Sequence, residues 1–204
     1  MTRGPLTRPT TVVLVSLLMM LGGCATTRHS NFYTLQPISA TGKTGQSPPA
    51  QGFISLGIGP LQFPDYLDRP QIVTREGTNE LKLAEYDRWA GDLSENFTNI
   101  LADNLSVLLD ADRVATFPWQ DSNKVNYQIR MDVLQFDGTL DGDAVLTARW
   151  TIYGKDGKTV LTSEKSTFKA PVRGSSYQAL VSAENQTLAD LSREIAAEIR
   201  QFAK

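Results

Sequence analysis

Of the side chains most used in catalysis and metal binding, this sequence offers one cysteine, Cys24, and one histidine, His29. A lone cysteine excludes an intramolecular disulfide and any Cys-rich metal centre. A lone histidine excludes paired-imidazole metal sites. His29 also stands in a short polar stretch, far in sequence from any carboxylate of the folded part, so almost no general base remains. No Gly-rich phosphate loop, no G-x-S-x-G elbow and no Cys/His constellation is present. Asp141 and Asp143 flank Gly142 between two strand candidates, a spacing that suits a turn better than a general acid/base pair. Twenty Lys and Arg stand against twenty-two Asp and Glu, for a formal net charge of −2. Nucleic acid demands a concentrated basic surface, and this balance supplies no reason to bind it. The chain therefore reads as a non-enzyme with no metal and no cofactor.

The cysteine gains meaning from what precedes it. Arg3 and Arg8 make a positive leader without an acidic residue, and Val12 to Leu21 is an apolar run. That run is about half the roughly 20 residues a membrane-spanning helix needs, so residues 1–23 read as an export signal rather than a permanent anchor. Leu21-Gly22-Gly23-Cys24 resembles the lipobox of bacterial lipoproteins, in which the chain is cut before the cysteine and the cysteine is acylated. The resemblance makes Cys24 the lipidation site, and Ala25 rather than Asp after it implies sorting to the outer membrane. Removing 23 of the 204 residues leaves 181, and losing two arginines takes the charge from −2 to −4. An acidic protein gains little from anionic lipid, so attachment rests on acyl chains, at about 0.8 kcal/mol per buried CH₂. Residues 24–31 form a polar tether. Its seven residues after the cysteine span at most about 25 Å, which holds the following domain, residues 32–204, against its own membrane.

The domain must then supply elements. Phe32 to Leu35 is a short strand candidate, and Ser39 to Gly52 is a Gly/Ser/Pro-rich linker. Phe53 to Gly59 alternates as a strand. Pro60, Pro64 and Pro70 make 60–70 an extended connection rather than a central strand. Gln71–Arg75 and Glu80–Ala84 flank Gly77-Thr78-Asn79 as a hairpin. Trp89, Leu93, Phe97, Ile100, Leu101, Leu105 and Leu108 form one helical stripe, with Asp92 and Glu95 spaced as a capping box that would start the regular helix there. Strand character returns at Arg113–Pro118, at Tyr127–Val133, and at Val145–Tyr153 and Val160–Lys169 around Asp156-Gly157. A second helix runs from about Ser175 to the end, and both helical stripes read as core-facing. The triplets Asn96-Phe97-Thr98 and Asn185-Gln186-Thr187 match the glycosylation pattern but fall on helices of a bacterial-type lipoprotein and are discounted. The expectation is an α+β fold: a mainly antiparallel sheet with two long helices packed on one face, a two-layer sandwich.

The most informative stretch is Gly59 to Arg75. It presents Tyr66, Asp68, Arg69 and Arg75 among three prolines, either as a recognition surface held with little entropy loss or as a structural corner in which Arg69 pairs with Asp68 or with buried carbonyls. Here a family likeness enters. Phe32-Tyr33-Thr34-Leu35 after a lipobox, Gly59-Pro60, the run Phe63-Pro-Asp-Tyr-Leu-Asp-Arg-Pro-Gln-Ile-Val-Thr-Arg75 and Arg88-Trp89-Ala90 resemble the PqiC (YmbA) family, auxiliary lipoproteins of ABC-type and MCE-protein transport systems. The likeness covers nearly the whole mature chain. One departure is Gly91-Asp92, where the pattern has an acidic residue and proline.

The resemblance implies a non-enzymatic protein on the inner leaflet of the outer membrane, facing the periplasm. Its partner would be an MCE-domain (PqiB-like) protein that reaches across the periplasm to move lipids between membranes. Tyr66, Asp68, Arg69 and Arg75 are the candidate partner-binding residues, and a homo-oligomer stays open. Two other readings remain: a lipid-binding periplasmic carrier, and a structural lipoprotein assisting outer-membrane assembly. A hydrolase ranks last. Cys24→Ala should leave a soluble or signal-retained form, checked by membrane fractionation; an unchanged outer-membrane fraction contradicts the lipobox reading.

Overall fold

The computed structural model describes residues 28–39, 54–119 and 125–203. The expected signal segment, Cys24, the first residues of the tether and most of the 39–52 linker lie outside the described residues. In chain order the elements are β1 (Asn31–Tyr33), β2 (Ser55–Gln62), a 3-10 turn (Asp65–Leu67), β3 (Gln71–Glu76), β4 (Glu80–Trp89), α1 (Leu93–Leu109), β5 (Arg113–Thr116), β6 (Tyr127–Gly138), β7 (Asp143–Tyr153), β8 (Val160–Pro171) and α2 (Tyr177–Phe202). The architecture is the expected α+β one.

Three antiparallel ladders, β3–β4, β6–β7 and β7–β8, make up most of the sheet. Shorter parallel ladders join β1 to β4, β5 to β2, and β2 to β6. β6 is the hub. One edge pairs with β7 along its length. The other takes β2 from Leu56↔Tyr127 to Gln62↔Asp132, then meets β3 at Thr74↔Gly138. Two successive strands therefore share one edge of β6, and residues 63–70 must bridge from one to the other.

Alternation on β7 shows which side is covered. Ala144, Leu146, Ala148, Trp150 and Ile152 are buried, while the intervening residues are partly or fully exposed. The buried series meets α2, where Trp150 Nε1 donates to Ser166 Oγ (3.1 Å) and that hydroxyl donates to Glu194. Between helices and sheet, Phe97 of α1 makes edge-to-face contacts with Phe63 (centroids 5.2 Å apart) and Phe136 (5.3 Å), which joins the bridge, α1 and β6 in one core.

Two expectations change. Pro60 was expected to end strand structure, yet β2 runs through it to Gln62, between β5 and β6. The ladder steps from Ile58↔Ile129 to Leu61↔Met131, three residues against two, so the bulge falls on Gly59-Pro60 and no ladder bond is asked of the proline. Gly59 is required there: its φ is 116°, and a Cβ would lie 2.7 Å from Phe117 Cβ. Trp89 was expected in the helical stripe. It is instead the last residue of β4, its N–H bonded to Pro70 O (2.7 Å). α1 starts at Leu93 because the Asp92 carboxylate caps Glu95 N–H (2.8 Å).

Asparagines on both helices hold the chain that follows β1. Asn96, Asn185 and Asn104 each accept a backbone N–H, from Leu35 (2.8 Å), Gln36 (3.0 Å) and Ile38 (2.7 Å) in turn. Asn104 is buried and donates onward to Ser192 Oγ (3.0 Å). The two glycosylation-like asparagines thus have a structural occupation: they satisfy a segment that belongs to no ladder.

Glu184 of α2 is also buried, and its Oε2 has no hydrogen-bond partner. Burial first, and the nearby Asp137 charge second, push its carboxyl well above the usual range. A carboxyl whose pKa rises on folding contributes stability that is complete below the ordinary Glu value and is lost as pH rises through the native one. Glu184→Gln should leave Tm nearly unchanged at pH 4 and raise it at pH 8, by about 2–4 °C per kcal/mol recovered. Thermal melts at the two pH values check this.

Candidate functional site: the clamped bridge and its cleft

The bridge is shaped first by its own backbone. Leu67 N–H bonds Pro64 O (2.9 Å), Asp68 N–H bonds Asp65 O (3.2 Å), and Arg69 N–H bonds Leu67 O (2.8 Å). This tight turn buries Leu67 and turns Tyr66 toward β6. Tyr66 Oη donates to Asp137 Oδ2 at 2.8 Å. Arg75, at the far end of the same stretch, donates from Nε to Oδ1 (3.0 Å) and from Nη2 to Oδ2 (2.9 Å). Gln135 Nε2 completes the set on Oδ1 (2.8 Å). Asp137 has no solvent exposure, and these donors replace its water. The phenol of Tyr66 is pushed up by burial and by its bond to the Asp137 carboxylate, and Arg75 is raised chiefly by its own bond to that carboxylate.

The four candidate residues therefore divide. Tyr66 and Arg75 meet on Asp137, while Asp68 and Arg69 face elsewhere. Asp68 is exposed, and Arg69 is half-buried with its Nε unpartnered. Together they line an open cleft of about 590 Å³ between the bridge and the start of α1. Phe63, Asp65 and Pro70 form one wall, and Gly91, Asp92 and Ser94 the other. The stretch does form a structural corner, but Tyr66 and Arg75 make it on Asp137 rather than Arg69 on Asp68. Among the described residues the buried Nε of Arg69 meets no acceptor, neither Asp68 nor a carbonyl.

Sequence reasoning missed Asp137 and Gln135. Asp137 lies beyond the Tyr127–Val133 alternation, past a register shift between Val133 and Gln135 that moves it to the face of Asp132, and nothing local marks it as buried. Among the described residues no group of three or more His, Cys, Asp or Glu is placed to hold a metal ion, and no helix is long and apolar enough to cross a membrane. At the other end of β4, Tyr33 Oη donates to Asp87 (2.6 Å), and burial with that bond pushes the phenol up to about 12. Its role is to fasten β1.

A family model described as an ABC-type transport auxiliary lipoprotein component matches residues 33–196. No curated protein matches the sequence. Two solved structures share the fold. A crystal structure of an uncharacterized protein is 22% identical, with a TM-score of 0.68, over 84% of this chain and 99% of that one. A Xanthomonas campestris protein of the DUF330 family is 17% identical, with a TM-score of 0.69, over 84% and 97%.

The division of the four residues is measurable. Asp137→Asn removes the charge that Arg75 and Tyr66 surround and should cost about 2 kcal/mol, below the 3–5 of a fully buried pair because Arg75 is partly solvated. Asp68→Ala, on the exposed lip, should cost under about 0.5 kcal/mol. Urea unfolding of both variants tests this.

Proposed function

Because the chain belongs to the family of ABC-type transport auxiliary lipoprotein components, we propose that it is the outer-membrane-anchored docking subunit of an MCE-protein, Pqi-type system that moves lipid between membranes and supports envelope integrity. In this reading acyl chains on Cys24 fix the domain at the inner leaflet of the outer membrane, facing the periplasm. The tether, at most about 25 Å, cannot bridge the periplasm, so the partner comes to the domain.

The observation that carries the reading is the pairing of a rigid segment with unused polar groups. Tyr66 and Arg75 hold the bridge on a buried carboxylate, so Asp68 and Arg69 are displayed with little conformational freedom left to lose on binding. An exposed Asp beside a half-buried Arg on the lining of an open cleft suits recognition of a polar, hydrogen-bonding protein segment. The family supports the non-enzymatic character of this role, since a transport auxiliary acts through a partner.

Photo-crosslinking amino acids at Asp68 or Arg69 should capture an MCE-domain protein in cells, while the same group at Val107, an exposed position on α1, should not. Failure to capture one anywhere from Asp65 to Pro70 overturns docking at this cleft. Capture of a β-barrel protein instead would favour the role in outer-membrane assembly.

A further inference from the structure

The side of the sheet away from the helices carries a charge pattern opposite to that of the whole chain. Cross-strand register sets its rows. Arg130, Thr151 and Ser163 stand in one; Asp132, Arg149 and Lys165 in the next; then Gln135, Thr147 and Thr167; then Asp137, Val145 and Lys169. Asp137 is already neutralised by Arg75. What remains is Arg130, Arg149, Lys165 and Lys169 against Asp132, which reaches Arg149 only at 3.9 Å, and Asp143 at the start of β7. A chain with a net charge of −2 thus gathers a basic surface on three neighbouring strands.

One cross-strand pair shows that this surface is not arranged for stability alone. Arg149 and Lys165 are directly opposite one another, and like charges so placed destabilise a sheet. Between the cations the hydroxyls are paired, Thr147 with Thr167 (3.1 Å) and Thr151 with Ser163 (2.9 Å), which leaves the middle polar. At its margin the Arg130 guanidinium lies 4.5 Å from the Tyr153 ring centroid, held in place by cation–π attraction.

We propose that the outer face of β6, β7 and β8 is a docking surface for an acidic protein segment, distinct from the Asp68–Arg69 cleft. Charge complementarity names the occupant. Four cations around a polar centre, with few exposed apolar side chains, suit reversible electrostatic association, which sets on-rate and orientation, rather than a permanent apolar interface between copies. The anchor proposed at Cys24 leaves this face within reach of the chain's own membrane as well, so the choice of a protein over that membrane is what the phosphatidylglycerol arm of the test decides. The tether enters at β1, and β8 lies five strand spacings away along β4, β3, β6 and β7, roughly 24 Å at 4.7–4.9 Å each.

The test uses the full-length chain in mild detergent and a fluorescein-labelled poly-L-glutamate peptide, read by anisotropy. Binding should weaken steeply with added salt. It should fall tenfold or more in Lys165→Glu/Lys169→Glu and change less than twofold in Arg69→Ala. Lys165→Glu alone replaces a like-charge pair by an opposite one, so its Tm should equal or exceed that of the wild type, and the Tm of the double variant, measured beside it, separates lost binding from misfolding. The proposal is overturned if the wild type shows no salt-sensitive binding, or if the double variant binds within twofold. It is also overturned if Arg69→Ala loses binding equally. Displacement of the peptide by equimolar phosphatidylglycerol in mixed micelles would make lipid headgroups the ligand. A change in sedimentation of the double variant would make the face a contact between copies.

Discussion

A carboxylate with no access to water is the constraint on which the rest of this structure depends. Burying a charge costs several kcal/mol unless hydrogen bonds replace its hydration. Asp137 recovers that cost only when Tyr66, Arg75 and Gln135 are all in place. Those residues come from the bridge, from β3 and from β6 itself. Satisfying one carboxylate therefore fixes the path by which the chain leaves β2, crosses beside β6 and returns as β3. Phe63 follows from the same path, since the bridge that delivers Tyr66 to Asp137 also lays Phe63 against Phe97. The polar clamp and the aromatic core are two consequences of one crossing.

From that crossing the molecule acquires its asymmetry. The helices cover one side of the sheet, and the strap behind β1 is sewn to them by asparagine side chains that no ladder could replace. The other side is left polar, with the bridge at one end and the cationic rows of β6 to β8 at the other. Apolar surface thus goes to the helical layer, and the exposed layer is free to carry charge and hydrogen-bonding groups in a fixed geometry.

Much of the architecture was legible in local pattern. The alternation over Tyr127–Val133, the Asp156-Gly157 turn and the period of three and four from Leu93 onward each reflect a face that must be buried, and such patterns survive into the fold because burial of apolar area dominates them. Asp156 shows how local that information is: its carboxylate accepts from Lys158 N–H, Thr159 N–H and the Thr159 hydroxyl, all within three residues, and these bonds hold its pKa down at about 2. Trp89 was misread because a residue four positions before Leu93 continues a helical stripe on paper, whereas Asp92 caps the helix and Trp89 closes a strand. Pro60 was misread because the rule against proline in a central strand holds for a regular ladder, and the bulge at Gly59 that relieves it is a property of the pairing.

The sequence by itself determined the class of the fold, the family likeness of the run from Phe63 to Arg75, and the four residues worth watching in it. These rest on composition, on spacing and on short-range chemistry, all of which are written in order along the chain. Only the tertiary structure decided that Tyr66 and Arg75 meet on Asp137 while Asp68 and Arg69 line the cleft, that Asp137 is buried, and that Arg149 and Lys165 stand side by side. Each of those depends on strands distant in sequence being brought into register. Partners 62 or 71 residues apart, as Arg75 and Tyr66 are from Asp137, leave no periodic trace from which their meeting could be read.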